Sequence, residues 1–186
     1  MIKNLILLFL IFLIHSNLEA QDEAERQRNF DKRVLFILDG SGSMNESWQN
    51  ESKWEMAIST LSNLIDSFQS MNKDFEIAIR VLGHQHARSE HRCDDSKLEI
   101  PFSKDLRYEK VYSTLRRMQP KGRTPLAYSI ALSEQDFPKD ITALHSVVLV
   151  TDGLENCDGN PCEVATKLRE RNIFITPYII GLGTDS

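Results

Sequence analysis

No basic stripe runs through this chain, and its 22 Lys and Arg are outnumbered by 27 Asp and Glu, giving a net charge of −5. That balance argues against nucleic-acid binding. Several catalytic signatures are missing as well. No Gly-x-x-x-x-Gly-Lys run followed by Ser or Thr occurs, which excludes a P-loop nucleotide site. The turn Gly40-Ser-Gly-Ser-Met44 is not the Gly-x-Ser-x-Gly elbow of a serine hydrolase. A phosphatase of the aspartyl-phosphate type wants a second carboxylate two residues after the first, and after Asp39 that position is Ser41. Beyond the amino terminus no apolar run is long enough to span a membrane. There are only three cysteines, Cys93, Cys157 and Cys162.

Residues 1–20 read as a secretory signal peptide. Lys3 supplies the positive start, Leu5 to Ile14 is a ten-residue apolar core, and Leu18-Glu-Ala20 is a small-residue cleavage site with Leu18 bulkier than ideal. The apolar core is shorter than the roughly 20 residues of a spanning helix, the uncleaved-anchor alternative. No cysteine lies near the cleavage site, so an amino-terminal lipid anchor is not indicated. Cleavage leaves 166 residues with the net charge unchanged at −5, because Lys3 and Glu19 leave together. The expectation is an exported chain, secreted or periplasmic, with no membrane span in its mature form. A polar lead-in, residues 21–31, precedes one domain over residues 32–186 with enough chain for a substantial core.

The richest stretch is Val34-Leu-Phe-Ile-Leu-Asp39-Gly-Ser41-Gly-Ser43-Met44. Its apolar run is typical of a parallel strand buried on both faces. Asp39, Ser41 and Ser43 then fall at every second position, so a near-extended turn can point their oxygens to one side. Gly40 and Gly42 let the backbone curl tightly around whatever those oxygens hold. One carboxylate and two hydroxyls form a hard, oxygen-only ligand set, suited to Mg²⁺ and less to zinc or copper. A serine-glycine turn that merely caps the next helix is the plain alternative.

The Asp-x-Ser-x-Ser run after a buried strand resembles the metal-ion-dependent adhesion site of von Willebrand factor A domains, here of the secreted bacterial type. That resemblance, over roughly residues 32–183, implies a threonine from a second loop and an aspartate after a later strand. Gly122-Arg-Thr124-Pro125 and Val147-Val-Leu-Val-Thr-Asp152-Gly153 offer both in the expected order. By resemblance, the hydroxyls of Ser41, Ser43 and Thr124 coordinate the ion, while Asp39 and Asp152 act directly or through water. Mg²⁺ is the expected ion, with Mn²⁺ and Ca²⁺ as alternatives. A site with few direct carboxylates leaves the metal electron-poor, and the family's usual sixth ligand is an Asp or Glu of a protein partner. The implied function is metal-dependent adhesion or scaffolding without chemistry. A metal-dependent hydrolase and a similar domain with a purely structural metal are the competitors. Thr124 has its own alternative as a helix N-cap ahead of Pro125.

The rest of the chain supports an α/β fold: a doubly wound, mainly parallel sheet with one antiparallel edge strand and helices on both faces, as in a Rossmann-like A domain. Strands are expected at Phe75 to Gly83, at Lys97 to Phe102 (alternating, hence an edge), at His145 to Val150 and at Ile173 to Gly183. Helices are expected at Lys53 to Ser70, with Trp54, Ala57, Ile58, Leu61, Leu64, Ile65 and Phe68 on one face, and at Tyr108 to Met118, Pro125 to Phe137 and Pro161 to Asn172. Asn45 to Ser52 reads as a polar loop. A full A domain usually carries one more strand and helix after these. In such sheets ligands bind at the carboxyl ends of the strands, where Asp39 and Asp152 fall.

Three further features need a reading. His84, His86, His91 and Cys93 are softer ligands, but their spacing fits no recognised zinc pattern, and a solvated loop is the simpler account. Cys157-Asp-Gly-Asn-Pro-Cys162 encloses a tight turn beside Asp152, so Cys157 and Cys162 are expected to pair in an exported protein. Cys93 is then left over, free or bonded elsewhere; it pairs with one of the two if they do not pair with each other. The acids Glu155 and Asp158 in that turn do not have EF-hand spacing.

Overall fold

In this computed structural model the described residues are 32–48, 50–71, 75–139 and 143–179. The signal-peptide and lead-in readings, and residues 180–186, lie outside them. The sheet begins with β1 (Lys32–Asp39), whose central residues are fully buried on both faces. A short 3-10 turn, Gly42–Asn45, leads to a two-stranded ribbon, β2 (Ser47–Trp48) and β3 (Glu51–Ser52), where a plain loop was expected. Then follow α1 (Lys53–Met71), β4 (Phe75–Leu82), β5 (Ser96–Ser103) and α2 (Tyr108–Leu115). The chain continues with α3 (Leu126–Asp136), β6 (Leu144–Thr151), α4 (Pro161–Arg169) and β7 (Ile173–Ile179).

The strand order is β5-β4-β1-β6-β7, with β5 antiparallel and the other neighbours parallel. This is the doubly wound, mixed sheet expected from the sequence. Alternation along the strands splits the core in two. Phe36, Leu38, Ile77 and Ile79 face α1 and α2, packing with Ile58, Ile65, Val111 and Leu115. Leu35, Ile37, Ala78 and Leu149 face α3 and α4, packing with Leu126, Ile130 and Leu168. The β4–β5 register shifts near Ile79, opposite a strand that carries Pro101, a residue that an edge strand tolerates.

One sequence expectation for the helices changes. Leu64 and Phe68 were assigned to the buried face of α1 but stand 41% and 37% exposed, along an apolar groove with Val34, Phe75 and Val148. In α3, Ser129 and Ser133 are fully buried, and their hydroxyls donate to the carbonyls of Pro125 and Ile130 at 2.8 and 2.6 Å. Satisfied in this way, a serine can sit in a core. The end of α3 is fastened by Asp136, which accepts two hydrogen bonds from buried Arg80 of β4 at 2.7 and 2.6 Å.

Candidate functional site

Because β1 lies between β4 and β6 and runs parallel to both, the loops that follow all three strands leave from one edge of the sheet. Asp39 is the last residue of β1 and its side chain is buried. One carboxylate oxygen accepts the Ser41 N–H at 2.8 Å; the other accepts the Thr151 hydroxyl at 2.5 Å. Burial pushes this carboxyl above its ordinary value of 3.8, against the lowering effect of those hydrogen bonds, and the charge of Asp152 adds to the rise.

The turn after Asp39 is held closely. A Cβ on Gly40 would lie 2.8 Å from the Leu82 carbonyl, so glycine is required there, whereas at Gly42 it would meet nothing nearer than 3.7 Å. Neighbouring protein atoms thus require glycine at position 40 but not at position 42. Gly83, with φ of +67°, allows the Thr124 loop to approach: a Cβ there would lie 2.4 Å from the Arg123 carbonyl. Gly122 donates its N–H to Gly83 at 2.7 Å and accepts the Gly42 N–H at 3.1 Å, which places the Thr124 loop against the serine turn.

A continuous hydrogen-bond chain links four of the five expected site residues. Asp39 accepts from Ser41 N–H, Ser41 Oγ lies 3.1 Å from Ser43 Oγ, and Ser43 Oγ donates to Asp152 Oδ1 at 2.9 Å. The last contact spans 109 residues of sequence. Thr124 is buried at 3% exposure beside them, reached through the Ser41–Gly122 bridge. It does not cap α3; Pro125 occupies the N-cap position. Instead Asn156 grips it twice, accepting the Thr124 N–H at 2.8 Å and donating to its hydroxyl at 3.1 Å.

Sequence reasoning missed three residues here. Thr151 and Asn156 hold the carboxylate and the threonine just described. Lys53, the first residue of α1, donates to Asp152 Oδ2 at 2.8 Å and to Glu46 at 2.7 Å. These carboxylates, Asp152 first, hold the Lys53 ammonium above its ordinary value of 10.5. The only available signal was a lysine at the first position of a helix, where the dipole disfavours it.

The cysteine pairing expected from the sequence is wrong. Cys157 bonds Cys93, 64 residues away with a Cα–Cα distance of 5.6 Å, and Cys162 is free and exposed. Chain proximity favoured Cys162, but that residue is locked into the first turn of α4, whose N-cap Asn160 accepts the Glu163 N–H. The loops after β4 and β6 leave the same sheet edge on either side of β1, and Cys93 meets Cys157 there.

Glu155, His84, His86 and Cys93 are engaged elsewhere. Glu155 accepts the N–H groups of Ala127 and Cys157, both at 2.7 Å, so it supports the start of α3. His84 is buried against Glu99 at 2.9 Å, His86 contacts Glu90 at 3.0 Å, and Cys93 is oxidised. Among the described residues no group of three or more His, Cys, Asp and Glu side chains is placed to hold a metal. A site built mainly from hydroxyls is not of that kind. No helix among the described residues is long and apolar enough to cross a membrane.

Residues 34–186 match the family described as the von Willebrand factor type A domain. The chain is 30% identical over 166 residues to the uncharacterized protein YwmD of Bacillus subtilis (strain 168), covering 87% of this chain and 72% of YwmD. Its fold is similar to that of the conserved hypothetical protein BatB from Bacteroides thetaiotaomicron, with a TM-score of 0.59 and 22% identity over 78% of this chain and 65% of that one. It is also similar to the manganese-loaded TRAP protein of Plasmodium vivax, with a TM-score of 0.57 and 22% identity over 84% of this chain and 60% of that one.

Proposed function

The chain belongs to the von Willebrand factor type A domain family, and from that premise we propose that it is a metal-dependent protein-binding module. Ser41, Ser43 and Thr124 offer hydroxyl oxygens to a divalent cation, Mg²⁺ or alternatively Mn²⁺ or Ca²⁺, with Asp39 and Asp152 behind or beside them. The bound ion supplies a Lewis-acidic position for an Asp or Glu carboxylate of a protein partner. Family membership supports the protein-binding role, and the manganese carried by the Plasmodium relative supports a divalent ion.

The observation that carries this reading is the chain from Asp39 through Ser41 and Ser43 to Asp152. A hydroxyl has one proton and two lone pairs. Ser43 spends its proton on Asp152 at 2.9 Å and so accepts from Ser41 at 3.1 Å, which leaves it one lone pair for a cation and an oxygen of raised basicity. Thr124 accepts one hydrogen bond from Asn156 and keeps a second lone pair. Asp39, bonded to the Ser41 N–H and to Thr151, shapes the turn that presents the serines. The donors are hard, small and neutral apart from the two aspartates, which fits Mg²⁺ or Mn²⁺. Residues 1–20 would export the domain to the secreted or periplasmic space, where an adhesive contact is useful.

Titration calorimetry with Mg²⁺ and Mn²⁺ tests the reading. The wild-type chain is expected to take up a single ion, and Ser43→Ala to weaken it by about tenfold or more. Capture of a partner on immobilised protein should then disappear in EDTA and with Asp39→Ala. Ion uptake that ignores both substitutions would remove the proposal.

A further inference from the structure

Lys53 breaks two local rules at once. It stands at the first position of α1, where the helix dipole favours anions, and its side chain is only 9% exposed. Burying an ammonium is costly unless carboxylates meet it. Its two partners are Asp152, with a side chain 2% exposed, and Glu46, 66% exposed. A sequence that accepts such a conflict usually does so at a functional position. The conflict is resolved on Asp152, one of the residues assigned above to the cation.

The consequences follow from charge and geometry. Asp152 has two oxygens: Oδ1 accepts from Ser43 and Oδ2 from Lys53. With both engaged, Asp152 is turned toward its hydrogen-bond donors. Cation binding requires both buried carboxylates, Asp39 and Asp152, to be ionised; with Lys53 positive, the buried charges then sum to −1. Glu46 lies mostly in water, whose high dielectric weakens its effect on the buried site. Adding a divalent cation brings the site to +1; without Lys53 it would be neutral.

We propose that Lys53 is a positioning and specificity-determining residue that keeps the loaded site cationic, at some cost in metal affinity, so that the site attracts a carboxylate ligand. This rests on the metal-site reading above and adds to it a role for a residue outside the expected ligand set. A lysine that merely staples the loops would act differently. Losing a staple loosens the site and weakens metal and carboxylate together, whereas losing a charge moves the two affinities in opposite directions.

The test uses Mn²⁺ as the metal probe and acetate as the carboxylate probe, at low ionic strength. Calorimetry gives Mn²⁺ affinity, and water-proton relaxation of the Mn²⁺-loaded protein reports acetate displacing coordinated water. For Lys53→Met, Mn²⁺ binding is expected to tighten by about tenfold and acetate binding to weaken by about fivefold. Lys53→Arg, which keeps the charge, should stay within about twofold of wild type in both. Should Lys53→Met fail to fold, Lys53→Gln keeps a donor for Asp152 without the charge, and the same opposed shifts are required of it. Both affinities falling together, or neither moving, overturns the role of Lys53. Wild-type protein that takes up no Mn²⁺ overturns the metal-site reading itself and this inference with it, so the two failures are distinguishable.

Discussion

Asn156 fixes the hydroxyl and the backbone N–H of Thr124, through hydrogen bonds of 3.1 and 2.8 Å. Asn156→Ala leaves a buried N–H unpaired, which costs about 1–3 kcal/mol of stability. It also frees the threonine to rotate, and Mn²⁺ affinity measured by calorimetry should fall about tenfold or more. Unchanged affinity would mean that Thr124 is no ligand. Glu99 gives a prediction in pH. Burial alone would raise its carboxyl, but hydrogen bonds from Lys97 and His84 outweigh that and hold it below its ordinary value of 4.5. A carboxyl depressed by folding stabilises the protein above its unfolded value and loses that contribution as pH falls through the folded one. The melting temperature of wild type should therefore exceed that of Glu99→Gln at neutral pH, and the gap should narrow as pH falls below the ordinary carboxyl value of 4.5. A gap that persists or widens in acid would contradict the assignment.

At the scale of elements, the disulfide is the sharpest test. A link between Cys93 and Cys157 closes 64 residues of chain, enclosing β5, α2, α3 and β6. Chain entropy alone assigns such a closure about 4 kcal/mol. Denaturant unfolding should show Cys93→Ser destabilised by an amount of that order, and Cys162→Ser unchanged within about 0.5 kcal/mol. Non-reducing peptide mapping that joined Cys157 to Cys162 would contradict the structure. The elements themselves were largely legible. A helix read at Lys53 to Ser70 spans Lys53–Met71, and a strand read at Phe75 to Gly83 spans Phe75–Leu82, because apolar period and burial coincide there. The helix read to Asn172 stops at Arg169, and Asn172 adopts φ of +60°. What period could not reveal was cover: Leu64 and Phe68 share the apolar stripe of α1, yet both stay more than a third exposed along the groove.

For the whole molecule, legibility divides by sequence distance. Asp39, Ser41 and Ser43 are readable because their relation is local, set by alternation across one turn. Thr124 and Asp152 enter by resemblance to a known family. The supporting residues stay hidden, because Thr151 meets Asp39 across 112 residues, Lys53 meets Asp152 across 99 and Asn156 meets Thr124 across 32. No local pattern marks a threonine at a strand end as the partner of a buried carboxylate. The parallel placement of β4 and β6 on either side of β1 brings all of them to one edge, and also joins Cys93 to Cys157. An ion that binds only the folded chain should raise its melting temperature, by about 2.7 kcal/mol of stability at a hundred times the dissociation constant. That effect should vanish with Asp39→Ala. The most direct measurement is an anomalous difference map from a crystal soaked in MnCl₂. The predicted result is one strong peak bounded by the hydroxyl oxygens of Ser41, Ser43 and Thr124, with an open position facing solvent. A map with no peak there, or with manganese bound only at the His86–Glu90 loop, would contradict it.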